Sequence, residues 1–474
     1  MATFAQAIKN QEARTENGMK ALASSANPCV DLFEKIGASR GKNIIPLFVA
    51  AYNHNREQAI RIAQWARDVR GGAGERELYR QILSWLEKND QDSARALMMK
   101  TPLIGRFDDL LIFNEKDMRD AAFGFIKGEL DRGNGLAAKW MPRKGPVAIE
   151  LRSFLGLTPK QYRKTLVNLT KVVETQMCAK EWDAINFSHV PSVASARYRK
   201  AFYKRTTKYK EYVEALKTGK TIDGKAVKVN ASAMFPYDVI KSRIGMYGAP
   251  PISATELDFI EQQWNALPNF VGDASVMPIV DVSGSMTSAI NKTGLQALHI
   301  AVSLGLYFAD KNKGNFKDVF MTFSNRPQLL QLTGNINQKI DQMVKSKWEM
   351  NTDLHAAFKL ILDTAVRNSV PQNEMPETLL ILSDMQFDQC ARYDDSAIEM
   401  IRRKYTEAGY NMPKVVFWTL NAYSNTAVKF DERGTALVSG FSPAIAKSVL
   451  SNDLEDFTPE NVMLKTIMVP RYDW

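Results

Sequence analysis

Cysteine and histidine are scarce in this chain, and their scarcity closes several routes at once. Three cysteines in 474 residues (Cys29, Cys178 and Cys390) stand far apart with no Cys-x-x-Cys pair. That excludes a disulfide framework and a zinc cluster, and it fits a reducing, cytoplasmic compartment. The four histidines (His54, His189, His299 and His355) make neither an HxxxH nor an HExxH pair, so a zincin-type protease is excluded. No apolar run reaches the ~18 residues of a membrane span, and MATFAQAIKNQEARTENG lacks the apolar core of a secretory signal. No membrane partner is expected. A GxSxG elbow, a Gly-Lys-[Ser/Thr] phosphate loop and a dinucleotide fingerprint are missing as well. The expectation is a protein that is not an enzyme.

What the chain does have is bulk and an uneven charge. Its length predicts two to four domains, and 45% hydrophobic residues are ample for large cores. The net charge of +10 is concentrated. Lys139 to Lys228 holds 20 Lys/Arg against 7 Asp/Glu, a net of +13, which leaves −3 for the rest. One stretch carrying all the excess positive charge points to a polyanionic partner, nucleic acid first among them.

The hydrophobic pattern changes once along the chain. Residues 1–270 read as consecutive amphipathic helices with short turns: Arg56 to Arg70 places Ala59, Ile62, Ala66 and Val69 on one face. Similar patterns at 43–52, 77–86, 117–130 and 160–173 predict an all-α solenoid of HEAT-like stacked hairpins. The Lys/Gly-rich stretch 219–232 reads as a loop. From 271 to 474 buried strands alternate with helices, which predicts an α/β doubly wound, mostly parallel sheet followed by a C-terminal tail.

The strongest motif opens that second half. Val276 to Met286, VMPIVDVSGSM, is an apolar strand that delivers Asp281, Ser283 and Ser285 into a turn at Gly284. The carboxyl ends of strands are where open α/β sheets bind ligands. Hard oxygen donors carrying one local charge suit Mg²⁺ or another divalent cation. The run resembles the metal-ion-dependent adhesion site (MIDAS) of von Willebrand factor A (VWA) domains, Asp-x-Ser-x-Ser. Thr352, ahead of an amphipathic helix, and Asp384, at the end of the apolar run 378–383, supply the Thr and Asp that such a site takes from two further loops. Hydrolysis at this metal is not expected, because the motif loops hold no His or Lys base.

A helical-repeat first half joined to a VWA domain resembles the Ro (TROVE-domain) RNA-binding proteins. The local strings resemble an uncharacterised branch of that architecture from plants, fungi, bacteria and large phages. They are Arg67-Asp68-Val69-Arg70-Gly71-Gly72-Ala73-Gly74-Glu75-Arg76, Gly105-Arg106-Phe107-Asp108-Asp109-Leu110-Leu111, Lys139-Trp140-Met141-Pro142, Pro191-Ser192-Val193-Ala194, Ser383-Asp384-Met385-Gln386-Phe387 and Val416-Phe417-Trp418-Thr419-Leu420. The resemblance implies a ribonucleoprotein component that binds non-coding or misfolded RNA, with the metal site recruiting an acidic group of a protein partner. Two other readings fit the same strings: an adaptor for a MoxR-type AAA+ ATPase, and a virion or assembly scaffold.

Three basic clusters are the candidate RNA contacts. Arg67, Arg70 and Arg76 flank the Gly71–Gly74 turn, where backbone N–H groups can meet phosphate. Arg197, Arg199, Lys200, Lys204 and Arg205 interleave with Tyr198, Phe202, Tyr203 and Tyr209, which pairs cations for phosphates with rings for bases. Arg143 and Lys144 lie close to Trp140. Arg106 and Asp108 are read as structural, ion-paired residues.

Overall fold

The computed structural model describes residues 12–170, 172–222, 224–230, 234–244, 253–290, 294–323, 326–345, 352–389, 395–450 and 457–474. They form two compact units. One joins residues up to Ala66, Gly71–Leu78 and Phe235–Asp473; the other holds Arg67–Arg70 and Tyr79–Met234, with Trp474.

Ten strands lie among the described residues. β1 (Glu12–Arg14) and β2 (Lys20–Leu22) make an antiparallel hairpin, as do the very short β3 (Thr221–Ile222) and β4 (Lys225–Ala226). Both hairpins fall in stretches read from sequence as helix or loop. Runs of two or three residues are too brief to show a period of two. The other six are β5 (Val276–Asp281), β6 (Val319–Phe323), β7 (Gln328–Gln331), β8 (Thr378–Ser383), β9 (Lys414–Thr419) and β10 (Thr435–Ser439). They form one sheet in the order β10-β9-β8-β5-β6-β7, parallel except for β7. β5, β8 and β10 are buried at every position, as strands covered on both faces must be. β7 alternates between half-buried and exposed, as an edge strand does. The chain leaves β5 for β6 on one side and later returns to β8 on the other, so the sheet reverses its winding between β5 and β8.

The helix Ala297–Lys311 packs on the middle of this sheet, buried from Ala297 to Ala309 except at the half-buried His299. Gly305 lets it come close: a Cβ there would stand 2.4 Å from Val280 Cγ2 and 2.8 Å from Phe320 Cε2.

The division expected at residue 270 needs correcting, because the described residues up to Ala66 belong with the sheet. The helix Pro28–Ile36 starts on Asn27, whose side chain accepts from Cys29 N and Val30 N, with Pro28 in the first turn. It is buried from Cys29 to Ile36 because β10 and the helices Ile45–His54 and Pro459–Ile467 pack around it. Gly37 ends it against β10, where a Cβ would meet the Ser439 carbonyl oxygen at 2.4 Å. Gly37 N donates to Ser439 Oγ at 2.9 Å, and Thr426 exchanges backbone hydrogen bonds with Leu22 at 2.8 and 3.0 Å.

The second unit is helical, as expected. Its helices run from six residues (Gly135–Trp140) to 16 (Lys116–Asp131), without the constant period of a HEAT array. A buried ion-pair network sits inside it. Asp109 accepts from Arg67 Nε and Arg80 Nε, both at 2.8 Å, and Asp108 pairs with Arg80 at 3.1 Å. A separate aromatic core gathers Phe187, Phe202, Tyr209 and Tyr212. Among the described residues no helix is long and apolar enough to cross a membrane.

Candidate metal centre

Asp281 ends β5 and Ser383 ends β8, so the sheet places both at its carboxyl edge, where the winding reverses. They touch: Ser383 Oγ donates to Asp281 Oδ2 at 2.5 Å. Asp281 Oδ1 accepts from Ser283 N at 2.9 Å, an Asx turn that folds the DxSxS loop back on its first residue. The hydroxyls of Ser283 and Ser285 stand 3.1 Å apart. Asp384 follows Ser383 and is 1% exposed. Its Oδ1 accepts from Gln386 N at 3.3 Å, and its Oδ2 is buried with no hydrogen-bond partner among the described residues.

The second loop is tied in by the backbone. Thr352, 1% exposed, donates from its N–H to Asp388 Oδ2 at 3.1 Å and accepts from Asp388 N at 3.1 Å. Asp388 therefore joins the second loop to the third, as Ser383 joins the third to the first. Gln386 fills the turn between them, with Nε2 donating to Asn425 Oδ1 at 3.0 Å and to Asp384 O at 3.3 Å. Met385 has φ +64°, a left-handed backbone that costs an L-residue about 1 kcal/mol or more. Ser383 Oγ steadies it by accepting from Met385 N at 3.0 Å. Ser383, Gln386 and Asp388 were not assigned roles from sequence, although they lie in the same short string as Asp384.

The electrostatics are those of a site short of positive charge. Burial first, and then Asp384, pushes Asp281 well above the usual carboxylate range, against the hydrogen bonds from Ser283 and Ser383. Burial raises Asp384 too, opposed by Ser285 and the Gln386 backbone and reinforced by Glu16. Neither carboxylate has an ion-pair partner among the described residues, where no group of three or more His, Cys, Asp or Glu gathers either. A cation held here rests on mixed carboxylate and hydroxyl oxygens, a set that suits a hard divalent ion. The buried orphan oxygen of Asp384 is the group that such an ion would satisfy.

The basic clusters sort differently from the expectation. Arg67 is withdrawn as an RNA contact: it is 1% exposed and paired with Asp109 at 2.7 Å. Arg76 pairs with Glu77 at 3.1 Å, and Arg70 is exposed. Asp108 pairs with Arg80 and not with Arg106, whose guanidinium lies 4.0 Å from the centre of the Trp140 ring. Arg143 and Lys144 are exposed, with Arg143 reaching Thr170 Oγ1 at 3.3 Å. On the helix Ser192–Arg205 the residues Arg197, Lys200, Lys204 and Arg205 are exposed and Arg199 is half-buried. The intervening rings face inward. Phe202 and Tyr209 are fully buried, Tyr203 meets Tyr209 edge-on at 4.9 Å, and Tyr198 packs on Phe202. Aromatics at helical spacing made a core here, and only the cations were left outside.

Two family models match the chain, both described as domains of unknown function: DUF2828 over residues 15–99 and 148–275, and DUF7788 over residues 275–467. Among solved structures, the Ro (RSR) protein of Deinococcus radiodurans is similar at 14% identity and a TM-score of 0.49, over 94% of this chain and 100% of that one. Uncharacterized protein L728 of Acanthamoeba polyphaga mimivirus is 31% identical over 519 residues, 96% of this chain and 86% of its own length. At that identity and coverage the chain belongs to the family of the mimivirus protein L728.

Proposed function

We propose that this protein is a non-enzymatic RNA-binding adaptor. Its α/β unit holds Mg²⁺ or another divalent cation in the manner of a VWA-domain MIDAS and recruits a protein partner through an acidic side chain. One observation carries the reading: Asp384 keeps a buried, unpartnered carboxylate oxygen beside Asp281 and two serine hydroxyls at the sheet's switch point. Ser283, Ser285 and Thr352 would hold the ion through hydroxyls, and Asp281 and Asp384 directly or through water. The three hydroxyls bring no charge to the ion, and a carboxylate acting through water neutralises it only in part. The chemistry the ion supplies when bound is therefore attraction for one more acidic group.

The RNA half rests on the net +13 between Lys139 and Lys228 and on the exposed Arg197, Lys200, Lys204 and Arg205. Because the neighbouring rings are core, this face supports phosphate contacts more than base stacking. Binding of low sequence specificity and steep salt dependence is expected.

Asp281→Ala tests the assignment. It abolishes Mg²⁺-dependent capture of an acidic partner and leaves RNA affinity nearly unchanged. Equal loss of both would mean that the ion holds the fold together and recruits nothing. Protein purified from cells carries excess absorbance at 260 nm that nuclease removes; clean protein that binds no RNA at low salt ends the RNA half.

A further inference from the structure

The tip of the β1–β2 hairpin is fastened to the third metal loop by side-chain and backbone hydrogen bonds. Thr15 Oγ1 donates to Phe387 O at 2.6 Å, Glu16 N to Gln386 Oε1 at 2.7 Å, Asn17 Nδ2 to Gln386 O at 2.7 Å, and Gln389 N to Asn17 O at 3.1 Å. Thr15 and Met19 are buried in this seam, and Gly18, at φ +91°, closes the turn. Gln386 is the shared post: its amide holds the tip on one side and the Asp384 carbonyl on the other.

Glu16 is exposed at this tip, and its charge reaches groups beside the third loop. Asp384 is one, Tyr423 another and Lys42 the third. The Lys42 ammonium donates to Asn421 Oδ1 at 3.0 Å and to the Ala422 carbonyl, lies 5.2 Å from the centre of the Tyr423 ring, and is attracted by both Asp384 and Glu16. An exposed acidic residue is thus carried by a hydrogen-bonded turn to the edge of the third loop.

We infer that Glu16 is the chain's own acidic ligand for the ion at Asp281, Ser283, Ser285, Thr352 and Asp384, so that an outside carboxylate must displace the hairpin tip to bind. The inference rests on the metal reading of these loops. It gives the N-terminal hairpin a function: it holds a stand-in for the partner, and recruitment becomes a competition between an intramolecular carboxylate at high effective concentration and an external one.

The experiment uses the full chain with Mn²⁺, read by electron paramagnetic resonance and by water-proton relaxation, and glutarate as the acidic probe. Wild type binds Mn²⁺ and Asp281→Ala does not, which establishes the site. Glu16→Gln then weakens Mn²⁺ three- to tenfold, raises the relaxation enhancement per bound ion because water takes the vacated position, and tightens glutarate several-fold. Asn17→Ala, which loosens the tip and leaves the carboxylate, shifts glutarate binding the same way by less. Glu16→Gln with unchanged Mn²⁺ affinity, relaxation and glutarate binding overturns the role of Glu16 and leaves the metal site standing. A wild type that binds no Mn²⁺ overturns both.

Discussion

Asp109 and Asp384 are both buried carboxylates, 0% and 1% exposed, and they lie in different units of the chain. Asp109 is surrounded by partners from its own unit: Arg67, Arg80 and the Arg106 N–H at 3.0 Å. Asp384 has one weak backbone donor and a bare oxygen. Burying an ionised carboxylate costs several kcal/mol unless charge and hydrogen bonds compensate it. Asp109 is compensated internally, so its cluster is structural. Asp384 meets only a serine hydroxyl and backbone donors, with no cation in contact and one oxygen bare, and that is why its cluster is proposed to take an ion from outside. The lesson extends to the arginines: Arg67 was expected to meet phosphate and instead meets Asp109, a carboxylate 42 residues further on.

The largest effect expected from this contrast is on stability. Asp109→Ala strands two guanidinium groups, one of them fully buried, and lowers stability by about 3–5 kcal/mol. Asp384→Asn removes an uncompensated charge and leaves metal-free protein as stable or more so. Urea titrations of the two variants decide it, and equal destabilisation breaks the comparison.

Metal linkage comes next. Mg²⁺ at about a hundred times its dissociation constant raises wild-type stability by about 2.7 kcal/mol. Asp384→Asn loses that shift and Asp109→Asn keeps it in whatever fold survives; calorimetric melts with and without Mg²⁺ read both.

Replacing Arg197, Arg199 and Lys200 by Glu weakens RNA binding at least tenfold, about 1.4 kcal/mol, with a shallower salt slope and an unchanged melting temperature. Unchanged RNA affinity removes that helix from the interface.

The smallest effect is the pH profile. A carboxyl whose pKa is higher in the folded chain keeps its proton longer when folded. Metal-free protein therefore loses stability as pH rises from the ordinary carboxylate range through the raised values of Asp281 and Asp384. Asp281→Asn flattens that decline, and Mg²⁺, which binds the deprotonated form, reverses it. A profile identical in wild type and Asp281→Asn shows that these carboxyls bear no burial cost.

Much of the α/β half was legible. The apolar runs 276–282, 319–323, 379–383 and 415–420 read as strands, and β6 has those bounds while β5, β8 and β9 lie within a residue of theirs, because a fully buried strand is a short apolar run with little ambiguity. The three loops proposed to hold a metal could be located too, since each lies directly after a strand or before a helix. The partners of the N-terminal residues were not legible. The helix Pro28–Ile36 is buried from Cys29 to Ile36, charged residues included, and part of the surface that covers it, β10 and Pro459–Ile467, comes about 400 residues later. Glu16 carried no signal at all, since its relation to Asp384 exists only through the seam with Gln386.

The sequence by itself determined the apolar strands and most of the helices, because periodicity and local turn chemistry are properties of neighbouring residues. Tertiary structure alone decided which charges are spent inside the chain and which stay available. A carboxylate or guanidinium reveals its role only once the groups that surround it in space are known, and chain order does not record that company.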